Sequence, residues 1–481
     1  MTMLGASTSR ARAALAATVA MAVLAVAPAA HAAGPGHYTG TTSDGGGWVA
    51  DVPANWNGTL LLYSHGYGTL APQDAPDATT EATLLGMGYA MAGSGYDPNG
   101  PLWALGSALP DQFQTLSAVE RSVLPHRPRD VLALGTSMGG LISSLEDQGS
   151  NGRINGALST CGIVAGGVRL ENYQLDGEFA MNQLLAASEP IQLAGYTTPA
   201  QAVTAAGQLQ ALGVQAQTTA QGRARLALAM AFLNVTDWAP GMTMPSPSDY
   251  DAQEAGQYFT EFSGVPFGII PFTVTGTQQV DEAAGGSPTW DKGVNYAAQL
   301  ARSPYLGEVE ALYREAGLNL GADLRELTRD ANTTADPKAV RWLEQTSQAT
   351  GRLQVPELDM HTIADDLVPI QMENNYRQVV DRAGSGQLLR QSWVQRQIHC
   401  NFTPSELVAG VQAIQRRVDT GHWGSLADPS SLEARANAID AANGGTLGTP
   451  AFIAYQPGTL TGDNGPLDPF TDGSWPQWPG R

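Results

Sequence analysis

Residues 130–134 (DVLAL) are a short apolar run that leads directly into Gly135-Thr136-Ser137-Met138-Gly139 and then into a helical pattern. A strand that must turn at once into a helix, with glycines around the turn so that the backbone can bend without clashing, is compatible with few architectures. A second run of the same kind, residues 59–64 (TLLLYS), ends in His65-Gly66-Tyr67-Gly68. Residues 89–92 and 154–161 also read as strands. Between them, residues 81–85 read as a helix, and residues 111–123 have helical spacing with Phe113, Leu116, Val119 and Val123 on one face. Strands apolar on both faces and alternating with helices predict a parallel sheet in an α/β fold.

The pattern changes between about residues 169 and 353. Stretches 198–212, 223–233, 294–301 and 306–316 read as helices rich in Ala, Gln and Leu. In their midst, residues 262–272 (FSGVPFGIIPF) form an apolar run broken by prolines and glycines, a poor central strand and a candidate packed loop or pocket wall. Strand and helix alternate again from residue 354: residues 355–361 and 387–395 read as strands and 405–418 as an amphipathic helix. After residue 424, clusters of Gly, Pro and Asp predict extended chain lying on the surface. The tail acids Asp463, Asp468 and Asp472 do not match a calcium-loop spacing.

The N-terminus has Arg10 and Arg12, an uncharged apolar stretch from Ala13 to Ala27, and Ala30-His31-Ala32. That is the pattern of a secretory signal peptide cleaved near Ala32, and the apolar stretch is short for a membrane span. The 45 Asp and Glu outnumber the 25 Lys and Arg, for a net charge of −20. This acidity argues against nucleic acid and against an anionic membrane surface as partners. With 15% charged and 43% hydrophobic residues the chain is not of the disordered class. In an exported chain the two cysteines, Cys161 and Cys400, are either one bridge or a pair of buried thiols.

A serine hydroxyl becomes a nucleophile when it is exposed, oriented and deprotonated by a neighbour, and the turn at Ser137 supplies the first two. The helix N-terminus beside it adds a field that favours negative charge. The turn after TLLLYS can aim a backbone N–H at a developing oxyanion, and we assign Tyr67 and Met138 as the two donors. His65 itself reads as a residue that packs within its turn. A general base is best held in one tautomer by a carboxylate. Candidates follow successive strands: Asp365 in His361-Thr362-Ile363-Ala364-Asp365-Asp366-Leu367-Val368-Pro369, and His399 in Gln397-Ile398-His399-Cys400-Asn401-Phe402-Thr403. Asp366 and Asp359 compete for the carboxylate; His37, His126 and His422 are weaker bases by position.

The order Ser137, Asp365, His399 resembles the α/β-hydrolase superfamily, whose triad runs in that order. HTIADDLVP is similar to that family's HGxxDxxVP acid loop, with Thr362 where Gly is usual, and IHCNFT resembles the segment carrying the histidine in many secreted members. The resemblance implies an α/β-hydrolase fold, a mostly parallel central sheet flanked by helices with a large, mostly helical cap insertion. The expected organisation is a signal peptide at 1–32, core at 33–168, cap at 169–353, core at 354–423 and an extended tail at 424–481. In this fold both cysteines would lie on the rim near the serine, where a Cys161–Cys400 bridge would clamp the histidine loop. Tannase- and feruloyl-esterase-like members are similar in bridging a cysteine beside the histidine, but their partner cysteine directly precedes the serine, where this chain has Thr136.

The expected chemistry is hydrolysis of a carboxylic ester, small-molecule or polymeric, by an exported serine hydrolase; the alternative is a serine peptidase of the same fold. An acidic cap residue that recognises a substrate amino group would favour the alternative. The chemistry requires no metal or organic cofactor, and the chain has no H-E-x-x-H, paired C-x-x-C or dinucleotide fingerprint. Trp238, Phe262, Phe267, Phe272 and Trp290 in the insertion suggest an apolar or aromatic substrate group.

Overall fold

The computed structural model describes residues 34–186, 190–263, 268–462 and 464. The expected signal peptide and the last residues of the tail, including Asp463, Asp468 and Asp472, lie outside them. Among the described residues the strands are β1 (Gly36–Thr41), β2 (Gly47–Val52), β3 (Thr59–Ser64), β4 (Ala90–Ser94), β5 (Asp130–Thr136), β6 (Gly156–Thr160), β7 (Glu357–Ala364), β8 (Leu389–Gln397) and β9 (Phe452–Ile453). They form one sheet in the order β1-β2-β4-β3-β5-β6-β7-β8-β9. From β4 to β8 every neighbouring pair is parallel; β1, β2 and β9 run antiparallel at the two edges.

The unbroken apolar character of TLLLYS and DVLAL follows from this placement. Leu60 and Leu62 of β3 pack with Val131, Leu116 and Val119 on one face, against the helix Ala108–Ser122. Leu61 and Leu132 pack on the other face with Val408 and Ile414 of the helix Pro404–Thr420. A strand covered on both sides has no position left for a solvated side chain. The helix Pro404–Thr420 starts with a capping box, in which Thr403 and Glu406 satisfy each other's backbone N–H groups.

Between β6 and β7 the chain is helical, including Gly167–Leu185, Pro199–Ala216, Ala220–Leu233 and Ile270–Ala284. These helices share an apolar core of their own around Leu209, Leu228, Phe232, Val274 and Tyr296. The run 262–272 divides into different roles. Phe262 is core, packed against Gly213, whereas Pro271 stands in the first turn of the helix Ile270–Ala284, where a missing N–H costs nothing. Phe267 lies outside the described residues.

The tail departs from the expected extended chain. Asp428-Pro429 opens a helix, Pro429–Ala442, and β9 pairs with β8. Leu432, Ala436 and Ile439 are buried at helical spacing, so the periodicity was present but masked by the surrounding Gly and Pro.

The tightest backbone packing is at the end of β5. A Cβ on Gly135 would overlap the carbonyl of Gly139, and a Cβ on Gly139 would overlap that of Ser64. Gly135→Ala is therefore expected to lower the free energy of unfolding by about 3 kcal/mol, since backbone has nowhere to move. Gly207→Ala, on an exposed helical position with open space around it, should instead add about 0.5–1 kcal/mol. Urea unfolding of the two variants beside the wild type measures both; equal effects would contradict the packing described.

Candidate active site

Ser137 stands at the turn between β5 and the helix Met138–Gly149, with φ 62° and ψ −124°. A non-glycine residue in that region is strained and persists where its surroundings over-determine it. Here the Ser137 N–H donates to Thr160 O at 2.9 Å, tying the turn to the end of β6, and the lack of side chains at Gly135 and Gly139 lets the helix begin hard against the strand ends. Met138 is the first residue of that helix, so its N–H has no intrahelical acceptor. On the other side of the serine is the turn after β3. Gly66 lies so close that a Cβ there would be 3.2 Å from the Ser137 Cβ, and Tyr67 lines the same cavity as Ser137. His65 is buried in this turn: its Nδ1 bonds the Gly66 carbonyl at 2.8 Å and its ring packs on Tyr96.

Asp365 follows β7 and His399 follows β8. The Asp365 carboxylate accepts from His399 Nδ1 at 2.8 Å, and the Ser137 hydroxyl lies 2.8 Å from His399 Nε2. With its Nδ1–H given to Asp365, the imidazole presents Nε2 to the hydroxyl as an acceptor. The competing acids are placed differently. Asp366 accepts the backbone N–H of His399 at 2.7 Å, fixing the loop rather than the ring, and Asp359 is buried beside Glu357 and Glu373. His37, His126 and His422 are remote from this group: His37 is paired with Asp51, His126 stacks on Trp56, and His422 is exposed.

Cys161 and Cys400 are joined by a disulfide, with Cα atoms 5.3 Å apart. It links the residue after β6 to the residue after His399, and the Cys400 sulfur lies 3.2 Å from His399 Nε2. Ile398 and Cys400 have φ of 74° and 55°, and Cys161 has 46°, so both ends of the bridge are in left-handed backbone. The bridge therefore braces a histidine loop whose own conformation is unfavourable.

One residue of the site had no role assigned from the sequence. His361, fully buried in β7, bonds Glu373 through Nδ1 at 2.9 Å and the Val368 carbonyl through Nε2 at 3.0 Å, with Asp365 3.4 Å away. Both ring nitrogens face acceptors, which is the pattern of an imidazolium. Burial opposes that charge, but the hydrogen bonds with Asp365 and Glu373 outweigh it and hold the His361 pKa at about 10. Burial would likewise raise Asp365, but the charge of His399 and the hydrogen bonds from His361 and His399 hold it far below the usual carboxylate range. Asp365 also accepts the N–H groups of Leu367 and Val368, at 2.9 and 2.8 Å. The signal in the sequence was a histidine inside an apolar strand, which must find partners when buried.

Ser137 and His399 open onto a cavity of about 380 Å³. Its far wall comes from the insertion: Leu170, Glu171 and Gln174 of the helix Gly167–Leu185, and Phe272, Thr273 and Val280 of the helix Ile270–Ala284. Phe272 meets Tyr67 edge-on, with ring centroids 5.6 Å apart. Of the aromatic residues expected at the pocket, Phe272 lines it, Phe262 belongs to the helical core, and Trp238 and Trp290 are half-buried elsewhere.

A mostly parallel sheet carries a serine at a strand–helix turn, an aspartate and a histidine at the ends of later strands, in that order. The fold is that of the α/β-hydrolases. No family model matches the chain. Among curated proteins it is similar to o-phthalyl amidase of Xanthobacter agilis, 27% identical over 436 residues that cover 85% of this chain and 92% of the relative. Among solved structures it is similar to feruloyl esterase B of Aspergillus oryzae, with TM-score 0.39, 13% identity and 80% of each chain covered. It is also similar to Est1E of Butyrivibrio proteoclasticus, with TM-score 0.33, 11% identity, and 80% of this chain and 100% of the other covered. An acylaminoacyl peptidase of Pyrococcus horikoshii aligns with TM-score 0.33 and 9% identity over 76% of this chain, which spans 37% of that protein.

The charged state of His361 has a measurable consequence. A histidine whose pKa is raised on folding stabilises fully below its unfolded value, about 6.5, and loses that contribution as the pH climbs through its folded value. The stability lost in His361→Gln is therefore expected to be largest near pH 6 and to shrink toward about pH 10. Urea unfolding of both proteins across that range measures it, and a difference that grows with pH would contradict the buried imidazolium.

Proposed function

We propose that the chain is a serine hydrolase that cleaves carboxylic esters through an acyl-enzyme. The observation that carries this reading is the unbroken hydrogen-bond chain Asp365–His399–Ser137, with both links at 2.8 Å, opening on a largely apolar cavity. His399 Nε2 takes the Ser137 proton as Oγ attacks the acyl carbonyl, and the N–H groups of Tyr67 and Met138 receive the oxyanion. His399 then gives the proton to the leaving group, and water repeats the sequence on the acyl-enzyme. Asp365 holds the imidazole in the productive tautomer and stabilises its charged form. The insertion, residues 169–353, acts as a cap whose two helices shape the substrate cavity.

A second reading, cleavage of an amide, is favoured by one observation: the relative from Xanthobacter agilis is named an amidase. The catalytic sequence is the same for both bonds and differs in the leaving group that His399 must protonate. The leader pattern in residues 1–32 and the disulfide support export to an oxidising compartment. Among the described residues no helix is long and apolar enough to cross a membrane.

A matched series of p-nitrophenyl acyl esters and aminoacyl-p-nitroanilides, run on the wild type and on Ser137→Ala, tests the proposal. Ser137→Ala is expected to lose at least about 10⁴-fold in kcat with an unchanged circular dichroism spectrum. Turnover surviving in the folded variant would overturn the serine mechanism. Anilide cleavage as fast as ester cleavage would replace the ester reading with the amide one.

A further inference from the structure

Acyl transfer at Ser137 gives no task to the carboxyl that lines its cavity. Glu171, on the helix Gly167–Leu185, lines the cavity that contains Ser137 and is 2% exposed. Its backbone is pinned from behind by the Thr289 hydroxyl, which donates to the Glu171 carbonyl at 3.2 Å. Among the described residues, its Oε2 has no hydrogen-bond partner. A buried carboxyl oxygen left without a donor is costly, and such a group in a ligand cavity is a place where a ligand supplies the missing donor.

The chemistry of that ligand is constrained by what surrounds it. Among the described residues, those lining the cavity include neither Lys nor Arg, so no permanent cation there faces an anionic substrate group. Most of the wall is apolar, with Trp103, Ile163, Leu170, Phe272 and Val280 contributing hydrocarbon and aromatic surface. Gln174, one turn along the same helix, gives the polar spot a second side chain. Burial, reinforced by the nearby Asp281 carboxylate, pushes the Glu171 pKa up to about 8 against a hydrogen bond with Thr277. A cation arriving beside Glu171 relieves both effects at once, because it neutralises the ionised form and supplies N–H donors.

We propose that the substrate carries a basic nitrogen, a primary or secondary ammonium, and that Glu171 is the specificity-determining residue that pairs with it while Ser137 attacks the carbonyl. This rests on the serine-hydrolase reading and adds the substrate class to it: esters or amides with an ammonium group attached through a mainly apolar skeleton.

The test compares pairs of substrates that differ at the nitrogen alone. On the acyl side, aminoacyl p-nitrophenyl esters are set beside their N-acetyl counterparts; on the leaving-group side, 2-aminoethyl esters are set beside 2-acetamidoethyl esters. The wild type is expected to prefer the free amine in one of the two pairs by at least about tenfold in kcat/KM, as a desolvated ion pair provides. In Glu171→Gln that ratio should fall below about threefold, and a merely structural role for Glu171 would slow both members alike and leave the ratio intact. Hydrolysis by the wild type without preference in either pair would overturn this inference and leave the serine hydrolase standing. A preference that persists in Glu171→Gln would overturn it as well. Failure of the folded wild type to cleave any ester or amide would overturn the serine-hydrolase reading, and this inference with it.

Discussion

The structure is organised around a contact between bare backbones. Gly135, Gly139 and the carbonyl of Ser64 are packed so closely that no side chain fits among them. This is what allows the helix Met138–Gly149 to start directly on top of β5 and beside the end of β3. Ser137 is left at the apex of that turn with its φ at 62°, a conformation that its own side chain disfavours. The strain is sustained because two strand ends, through Thr160 and Gly66, enclose the turn. A sheet in which β3 and β5 were not parallel neighbours would bring no second turn to the serine, so the position of Tyr67 follows from the strand order.

Around that fixed point the rest of the site is held by charge. Asp365 is dry, yet it is surrounded by two imidazoles and two backbone N–H groups, and this keeps it ionised. His361 contributes from inside the sheet, its own pKa held up against burial by the carboxylates of Asp365 and Glu373. An isolated carboxylate in such a place would take up a proton and lose its hold on His399. The disulfide acts on the remaining freedom: His399 sits between a hydrogen bond to Asp365 and a sulfur joined covalently to the end of β6. Two independent restraints on one ring explain how its loop tolerates left-handed backbone at both Ile398 and Cys400.

Strands β3 and β5 are legible in TLLLYS and DVLAL because burial on both faces removes every polar option, and that signal is local. Ser137 directly follows such a run, whereas Asp365 and His399 follow strands with several polar residues, ELDMHTIA and LRQSWVQRQ, and are legible from the motifs around them and their order after Ser137. The partner of His361 is not, since Glu373 lies on a separate helix, Gln371–Arg382, and a charge cluster of this kind is assembled by the fold. The direction of Glu171 is hidden for a similar reason: on a helix buried on nearly all sides, spacing does not say which neighbour a side chain meets. The helix Pro429–Ala442 shows the opposite case. Its apolar spacing was available, but Gly- and Pro-rich flanks favoured a reading as extended chain.

The acidity of the sequence has a different meaning once the interior is known. Several of its carboxyls are buried: Glu171, Asp176 and Glu261 are raised to about 8, and Glu308 to about 9, in each case chiefly by burial. Such groups are neutral at pH 7 in the folded chain but ionised when it unfolds, so the folded state holds protons that the unfolded state has released. Stability then falls as pH rises from the ordinary carboxyl range toward 8 or 9, and His361 acts in the same direction. The formal charge of −20 therefore overstates the charge carried by the folded protein. In the cavity the same dryness couples two events, because Glu171 gives up its proton most readily when a positive group takes its place. Proton and substrate thus compete for one carboxyl, and the burial of Glu171 on a helix of the insertion sets the terms of that competition.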